Sequence, residues 1–158
     1  MKKFSFCLLL FIVGCTPSED KIRNMVKDEL QQLDPLHYFS NPQIAGPYSP
    51  AVQAGRFLFI SSQASTDLET NEFIEGTVEE QTHQSLQNIM TLLSHAGFDS
   101  SNVVQCTIYL KDLNDFTKMN LIFGGYFEEG KYPARTVVAV SDLREHARVE
   151  ISAIAFKP

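Results

Sequence analysis

The sequence predicts an α+β domain: one mixed β-sheet with two helices on one of its faces. Three observations carry that prediction. Two stretches, from Thr77 to Ala96 and from Phe116 to Phe127, place apolar residues at helical spacing. β-rich runs flank both, so the elements read ββ-α-β-α-ββ. The 158 residues, 44% hydrophobic and 20% charged, suffice for one core in one compact domain. A formal charge of -6 gives no basic surface for phosphates, so no nucleic-acid partner is expected.

The first residues follow a different plan. Lys2 and Lys3 precede a short apolar run, Phe4 to Val13, and then Gly14-Cys15. The run is too short to span a bilayer and has the layout of a secretory signal. Ile12-Val13-Gly14-Cys15 resembles a bacterial lipobox, which implies cleavage before Cys15 and lipidation of that residue. The expected organisation is a signal peptide over 1–14, a lipid-attached tether over 15–42 and the compact domain over 43–158. The expected location is the cell envelope, membrane-bound through Cys15; an unused signal would leave the protein cytoplasmic. Cys7 leaves with the signal, so Cys106 has no disulfide partner and reads as a buried structural thiol.

In the tether, Ile22, Met25, Val26, Leu30 and Leu33 fall at helical spacing. Ser18 or Asp20 can cap this helix, and Asp34-Pro35 ends it. Its apolar stripe could dock on the domain, lie on a membrane or pair between subunits. Docking is the default, because the polar face carries mixed charge.

The domain opens at the turn-rich Gly46-Pro47-Tyr48-Ser49-Pro50. Ala51 to Ala54 and Phe57 to Ser61 read as a hairpin turning at Gly55-Arg56. Gln63 to Ile74 is polar loop. Thr77-Val78-Glu79-Glu80 fits a capping box, and Gly97 is a left-handed stop for the helix it begins. His83 and His95 have no carboxylate or thiol at metal-ligand spacing, so no metal is expected. Val103 to Leu110 reads as a strand with Val104, Cys106, Ile108 and Leu110 on one face. In the second helix, Gly124-Gly125 implies close packing or a kink. Asn120 is a polar group on the apolar stripe, so it pins a loop or faces a site.

Ala134 to Val140 and Arg148 to Phe156 are the last strands. Within Lys131-Tyr132-Pro133-Ala134-Arg135-Thr136, a Pro ends the helical segment and Arg135 stands at the strand mouth. A guanidinium fork there suits a carboxylate. The sheet face turned away from the helices would carry Val149, Ile151 and Ala153, or alternatively Ile154 and Phe156. No further domain helix covers it, which points to oligomerisation.

Several of these segments together resemble the RidA/YjgF family of reactive-intermediate imine/enamine deaminases. They are Ala45-Gly46-Pro47-Tyr48-Ser49, Ile60-Ser61-Ser62-Gln63, Tyr109-Leu110-Lys111-Asp112-Leu113-Asn114-Asp115-Phe116, Met119-Asn120, Tyr132-Pro133-Ala134-Arg135 and Val149-Glu150-Ile151-Ser152-Ala153. The resemblance covers about Asn41 to Phe156. It implies a chorismate-mutase-like subunit, a homotrimer with its sheets packed inward, and sites between subunits. It implies hydrolysis of 2-imino acids to 2-oxo acids and ammonia, without metal or organic cofactor.

Position by position, Arg135 matches the family Arg that clamps the substrate carboxylate, and Tyr48 a Tyr lining the pocket. Ser61 matches the Ser of a Ser-Gly-Gln motif, and Asn120 a site-supporting Asn. Three positions depart. Ser62 stands in place of Gly and Val137 in place of a common Cys. Ser152 stands in place of the second Glu of a Glu-Ile-Glu-Ala run. On that reading the group holding the attacking water is missing, and Ser152 can position water but is a poor base. The expectation is an imine deaminase of weakened or altered range. The alternative is a non-catalytic trimer that binds a small carboxylate at the envelope.

Overall fold

The computed structural model describes residues 18–31, 36–41 and 46–158. The expected signal peptide, Cys15 and the Asp34-Pro35 helix stop lie outside them. The chain divides into two compact units between Asp34 and Pro35. In the first, helix α1 spans Glu19–Gln31. Ser18 begins it: its carbonyl accepts from the N–H groups of Lys21 and Ile22 at 2.9 and 3.0 Å. Ile22 and Met25 are exposed.

The second unit runs β1 (His37–Tyr38), β2 (Ala51–Ala54), β3 (Phe57–Gln63), α2 (Val78–His95), β4 (Val103–Leu110), α3 (Phe116–Gly124), β5 (Ala134–Ala139) and β6 (Val149–Phe156). The strands form one sheet in the order β1-β2-β3-β6-β4-β5. Every pairing is antiparallel except β4 with β5. Parallel neighbours need a crossover, and α3 supplies it. The expected α+β class and mixed sheet are therefore present. One strand was not foreseen: β1 lies in the stretch read as tether, and two residues are too short to display an alternation.

Both helices cover one sheet face. Leu58, Ile60, Cys106, Ile108, Leu110, Val149, Ile151 and Ala153 form a single core with Val78, Leu86, Ile89, Leu93, Met119 and Phe123. Each Val, Leu, Ile, Met or Phe among them contributes roughly 1.5–3 kcal/mol by leaving water. Of the two alternatives for the other face, Ile154 and Phe156 hold; Val149, Ile151 and Ala153 lie under the helices. Phe57 and Phe59 join them, 43% and 45% exposed.

Three local expectations are corrected. Val104 does not share a face with Cys106, Ile108 and Leu110. A register shift between Val103 and Gln105 inserts it as an extra residue, so Val103 is buried and Val104 exposed. Gly124-Gly125 is no mid-helix kink, because α3 ends at Gly124 with Gly125 as its C-cap. A Cβ at Gly124 would meet nothing within 4 Å, so close packing does not explain it either. Asn120, placed by its spacing on the apolar stripe, is exposed rather than packed into the core with Met119 and Phe123.

Candidate active site

One part of the site forms where α3 meets β5. Arg135 is the second residue of β5, in register with buried Cys106 on β4, so its side chain starts on the helix-covered face. Asn120, four residues into α3, accepts a hydrogen bond from Arg135 Nη1 at 2.6 Å. The guanidinium lies 4.9 Å from the ring centre of Phe123 and 5.8 Å from that of Phe116. Two rings and one amide thus fix its plane. Its other N–H groups donate to nothing among the described residues, which leaves them for an anion. Val137 pairs with Ile108 and packs on the core. Since β5 is the sheet edge, only its backbone can serve a ligand there. Burial pushes the Cys106 thiol up to about 12, although the nearby Arg135 charge opposes this. That thiol is no nucleophile at neutral pH.

The other part forms around the end of β3. Ile60 pairs with Ala153 and Gln63 with Ile151, so Ser61 and Ser62 together face Ser152. This bulge re-aims Ser62. Its Oγ donates to Glu150 Oε2 at 2.8 Å. The buried Gln63 amide holds the bulge by donating to the carbonyl of Ser61 at 2.9 Å. Ser61 is used structurally: its Oγ donates to the carbonyl of Ser49 at 2.7 Å and its N–H to that of Pro50 at 2.9 Å. It thereby ties the Gly46–Pro50 turn to the sheet. In that turn a Cβ at Gly46 would come within 3.1 Å of the Tyr48 ring, so glycine lets the ring lie against the backbone.

Tyr48, Ser62 and Glu150 line one cavity of about 230 Å³, together with Asn88, Arg144 and Glu145. At about 30 Å³ per water, it has room for an amino-acid-sized ligand. Asn88, nearly buried, donates to the carbonyls of Ala64 and Thr66 at 3.2 and 2.7 Å and so fixes the wall.

The sequence-derived residues therefore fall into two groups. Arg135, Asn120 and Val137 lie at β5; Tyr48, Ser61 and Ser62 lie at β3. Two strands intervene, which puts β3 and β5 roughly 14 Å apart at the usual spacing. Arg135 is on the helix side, whereas Glu150 alternates with buried Val149 and Ile151 onto the other side. Ser152 shares that open face, in register with Thr107 of β4, and does not line the cavity. Three carboxylates do line it, Asp67, Glu145 and Glu150; the one held by a sequence-derived site residue is Glu150, to which sequence reasoning gave no part. A Ser-rich bulge beside a strand Glu was the available signal, but alternation alone does not reveal a bulge. His83 and His95 are both exposed, and His83 Nδ1 pairs with the Tyr126 hydroxyl at 2.7 Å.

Known proteins share this fold. Residues 39–157 match the family model described as endoribonuclease L-PSP. A RutC family protein of Pyrococcus horikoshii is 47% identical over 116 residues, covering 73% of this chain and 91% of the relative. The 2-iminobutanoate/2-iminopropanoate deaminase of Mus musculus is 43% identical over 114 residues, covering 72% and 84%. Among solved structures, the YjgF gene product of E. coli superposes with a TM-score of 0.71 at 31% identity, over 77% of this chain and 98% of that one. E. coli TdcF with bound serine does so at 0.70 and 31%, with the same coverage. The chain belongs to the RidA/YjgF family, the proteins grouped as endoribonuclease L-PSP.

Proposed function

We propose that this protein hydrolyses 2-imino acids to 2-oxo acids and ammonia, at sites that Arg135 of one subunit and the Tyr48–Ser62–Glu150 cavity of a neighbour build together. The observation that carries the reaction is Glu150: a carboxylate lines the cavity and is oriented by Ser62 at 2.8 Å. The deaminase names of the mammalian relatives support the same reading. Within one subunit the two groups stand on opposite sheet sides, and a homotrimer with the Phe57–Phe59–Phe156 face turned inward would join them while covering that face.

In this scheme the free N–H groups of Arg135 hold the substrate carboxylate and Asn120 keeps the guanidinium in plane. Glu150 takes a proton from a water whose oxygen bonds to C2 of the protonated imine. The proton passes to the amino group of the carbinolamine. The C2–N bond then breaks as the carbinolamine hydroxyl gives its proton back to Glu150, releasing ammonia and leaving the C=O of a 2-oxo acid. A placed general base of this kind is worth about 10²–10⁴-fold. With Glu150 in that role, Ser152 need not weaken the site.

Timing the loss of 2-iminopropanoate generated in situ tests this. Wild type accelerates the loss, Glu150→Gln reduces that acceleration at least 100-fold, and Arg135→Ala raises KM. Equal rates with and without protein would contradict it. A second reading, a non-catalytic carboxylate-binding module, draws on the serine bound in E. coli TdcF. It requires carboxylate binding lost in Arg135→Ala with no rate effect from any variant. The formal charge of -6 gives no support to RNA cleavage.

Anchoring through Cys15 belongs to the same proposal and rests on the lipobox-like sequence. Fatty-acid label incorporated by wild type and absent from Cys15→Ser supports it; label retained in Cys15→Ser refutes it.

A further inference from the structure

The deaminase reading assigns nothing to Arg144, which lines the same cavity as Tyr48, Ser62 and Glu150. Its position is built by an unusual backbone. Glu145 and His146, which follow it, both adopt left-handed conformations at φ 55° and 61°. Non-glycine residues held there are strained, and such strain concentrates at ligand sites. The loop is fastened around that strain. Lys111 pairs with Asp142, the Lys111 N–H donates to the Arg148 carbonyl at 2.9 Å, and the Ala147 N–H donates to the Arg144 carbonyl at 2.9 Å.

The charges on the cavity wall differ in how far they are engaged. Asp67 Oδ1 already accepts from the N–H groups of Glu69 and Thr70 and from the Thr70 hydroxyl, at 2.8, 2.8 and 3.2 Å. Glu150 is held by Ser62. The Arg144 guanidinium meets only adjacent Glu145 among the described residues, at 3.7 Å, with side chains 77% and 50% exposed. An exposed pair of that length contributes little and exchanges readily. Asp67, Glu145 and Glu150 repel an anion elsewhere on the wall. A second anionic group on a substrate therefore has one place to go.

Resting on the deaminase reading, we propose that Arg144 is a specificity-determining residue that selects imino acids with a carboxylate-bearing side chain: 2-imino dicarboxylates. Arg135 takes the carboxylate beside the imine, and Arg144 takes the distal one, displacing Glu145.

The test measures kcat/KM of the full chain on three imines made by the matching oxidases and trapped with semicarbazide: 2-iminosuccinate, 2-iminopropanoate and the imine of arginine. Wild type is expected to favour 2-iminosuccinate. The ratio of 2-iminosuccinate to 2-iminopropanoate should fall at least tenfold in Arg144→Ala. It should recover in part in Arg144→Lys, which restores charge, and rise in Glu145→Gln, which removes the competing carboxylate. A loss of fold would lower both rates and leave the ratio alone. Acceleration of 2-iminopropanoate with a ratio indifferent to Arg144, or preference for the arginine imine, would overturn the role of Arg144 while the deaminase reading stands. Acceleration of none of the three by wild type would overturn both.

Discussion

At Ser62 a departure from the family pattern becomes a contact. The sequence marks it only as a side chain where a glycine is usual; in the fold its hydroxyl grips Glu150. Ser62→Ala should lower kcat for 2-iminopropanoate roughly tenfold, the worth of a hydrogen bond to a charged group; an unchanged kcat would remove Ser62 from the scheme. Asn120 was legible as a polar residue on an apolar stripe, and its partner Arg135 as a cation at a strand mouth. Their meeting was not legible, because it depends on how α3 lies across β5. Asn120→Ala frees the guanidinium at a cost of about 1 kcal/mol, so KM should rise roughly fivefold with little change in kcat. A change in kcat alone would contradict this positioning role. Glu150 was missed for a related reason: the extra residue on β3 that brings Ser62 to it leaves no mark in the alternation of apolar and polar residues.

Among the elements, α2 was the most legible. The capping box is present in both directions: the Glu80 N–H donates to Thr77 Oγ1 at 3.2 Å and the Thr77 N–H to Glu80 Oε2 at 2.8 Å. The helix stops as expected at Gly97, φ 74°. Thr77→Ala should lower the unfolding free energy by about 1 kcal/mol in urea titration; no loss would mean the cap is redundant. The strands were legible as elements but not in every face, and β4 shows why. Its buried set is Val103, Cys106, Ile108 and Leu110, and one bulge residue moves the first member. Arg148 was read only as a strand start. It donates to Asp115 Oδ2 from Nε and Nη2 at 3.1 and 2.8 Å, and its N–H donates to Gln81 Oε1 at 2.8 Å. It thereby links β6, α2 and the entry to α3, three segments distant in sequence.

For the whole molecule, the α+β class was legible because two helical periods separated by β-rich runs leave few other layer arrangements. The placement of the site was not, since no linear pattern tells which sheet side a strand residue takes. Stability should respond to acid. Asp67 lies below the ordinary carboxylate range because the Thr70 N–H bonds it, Glu80 because the Thr77 N–H does, Asp99 because of the Ser101 hydroxyl, and Asp142 because Lys111 donates to it. A carboxyl lowered by folding adds stability above its unfolded value, and that stability is lost as pH falls through the folded value. The ordinary values are 4.5 for Glu80 and 3.8 for the aspartates, so Tm should fall progressively below about pH 4.5. A Tm that rose there would contradict these assignments.

The separation of Arg135 from Glu150 is the central claim, and complementation tests it most directly. With 2-iminopropanoate held well below the wild-type KM, where a raised KM reads as lost rate, Arg135→Ala and Glu150→Gln are each expected to be nearly inactive alone. If every site takes Arg135 from one subunit and Glu150 from the next, equal co-expression restores both groups in about one quarter of the sites of a cyclic oligomer. Activity on 2-iminopropanoate near a quarter of wild type is the predicted result. A mixture no more active than its two parents would place both groups in one subunit and contradict the account.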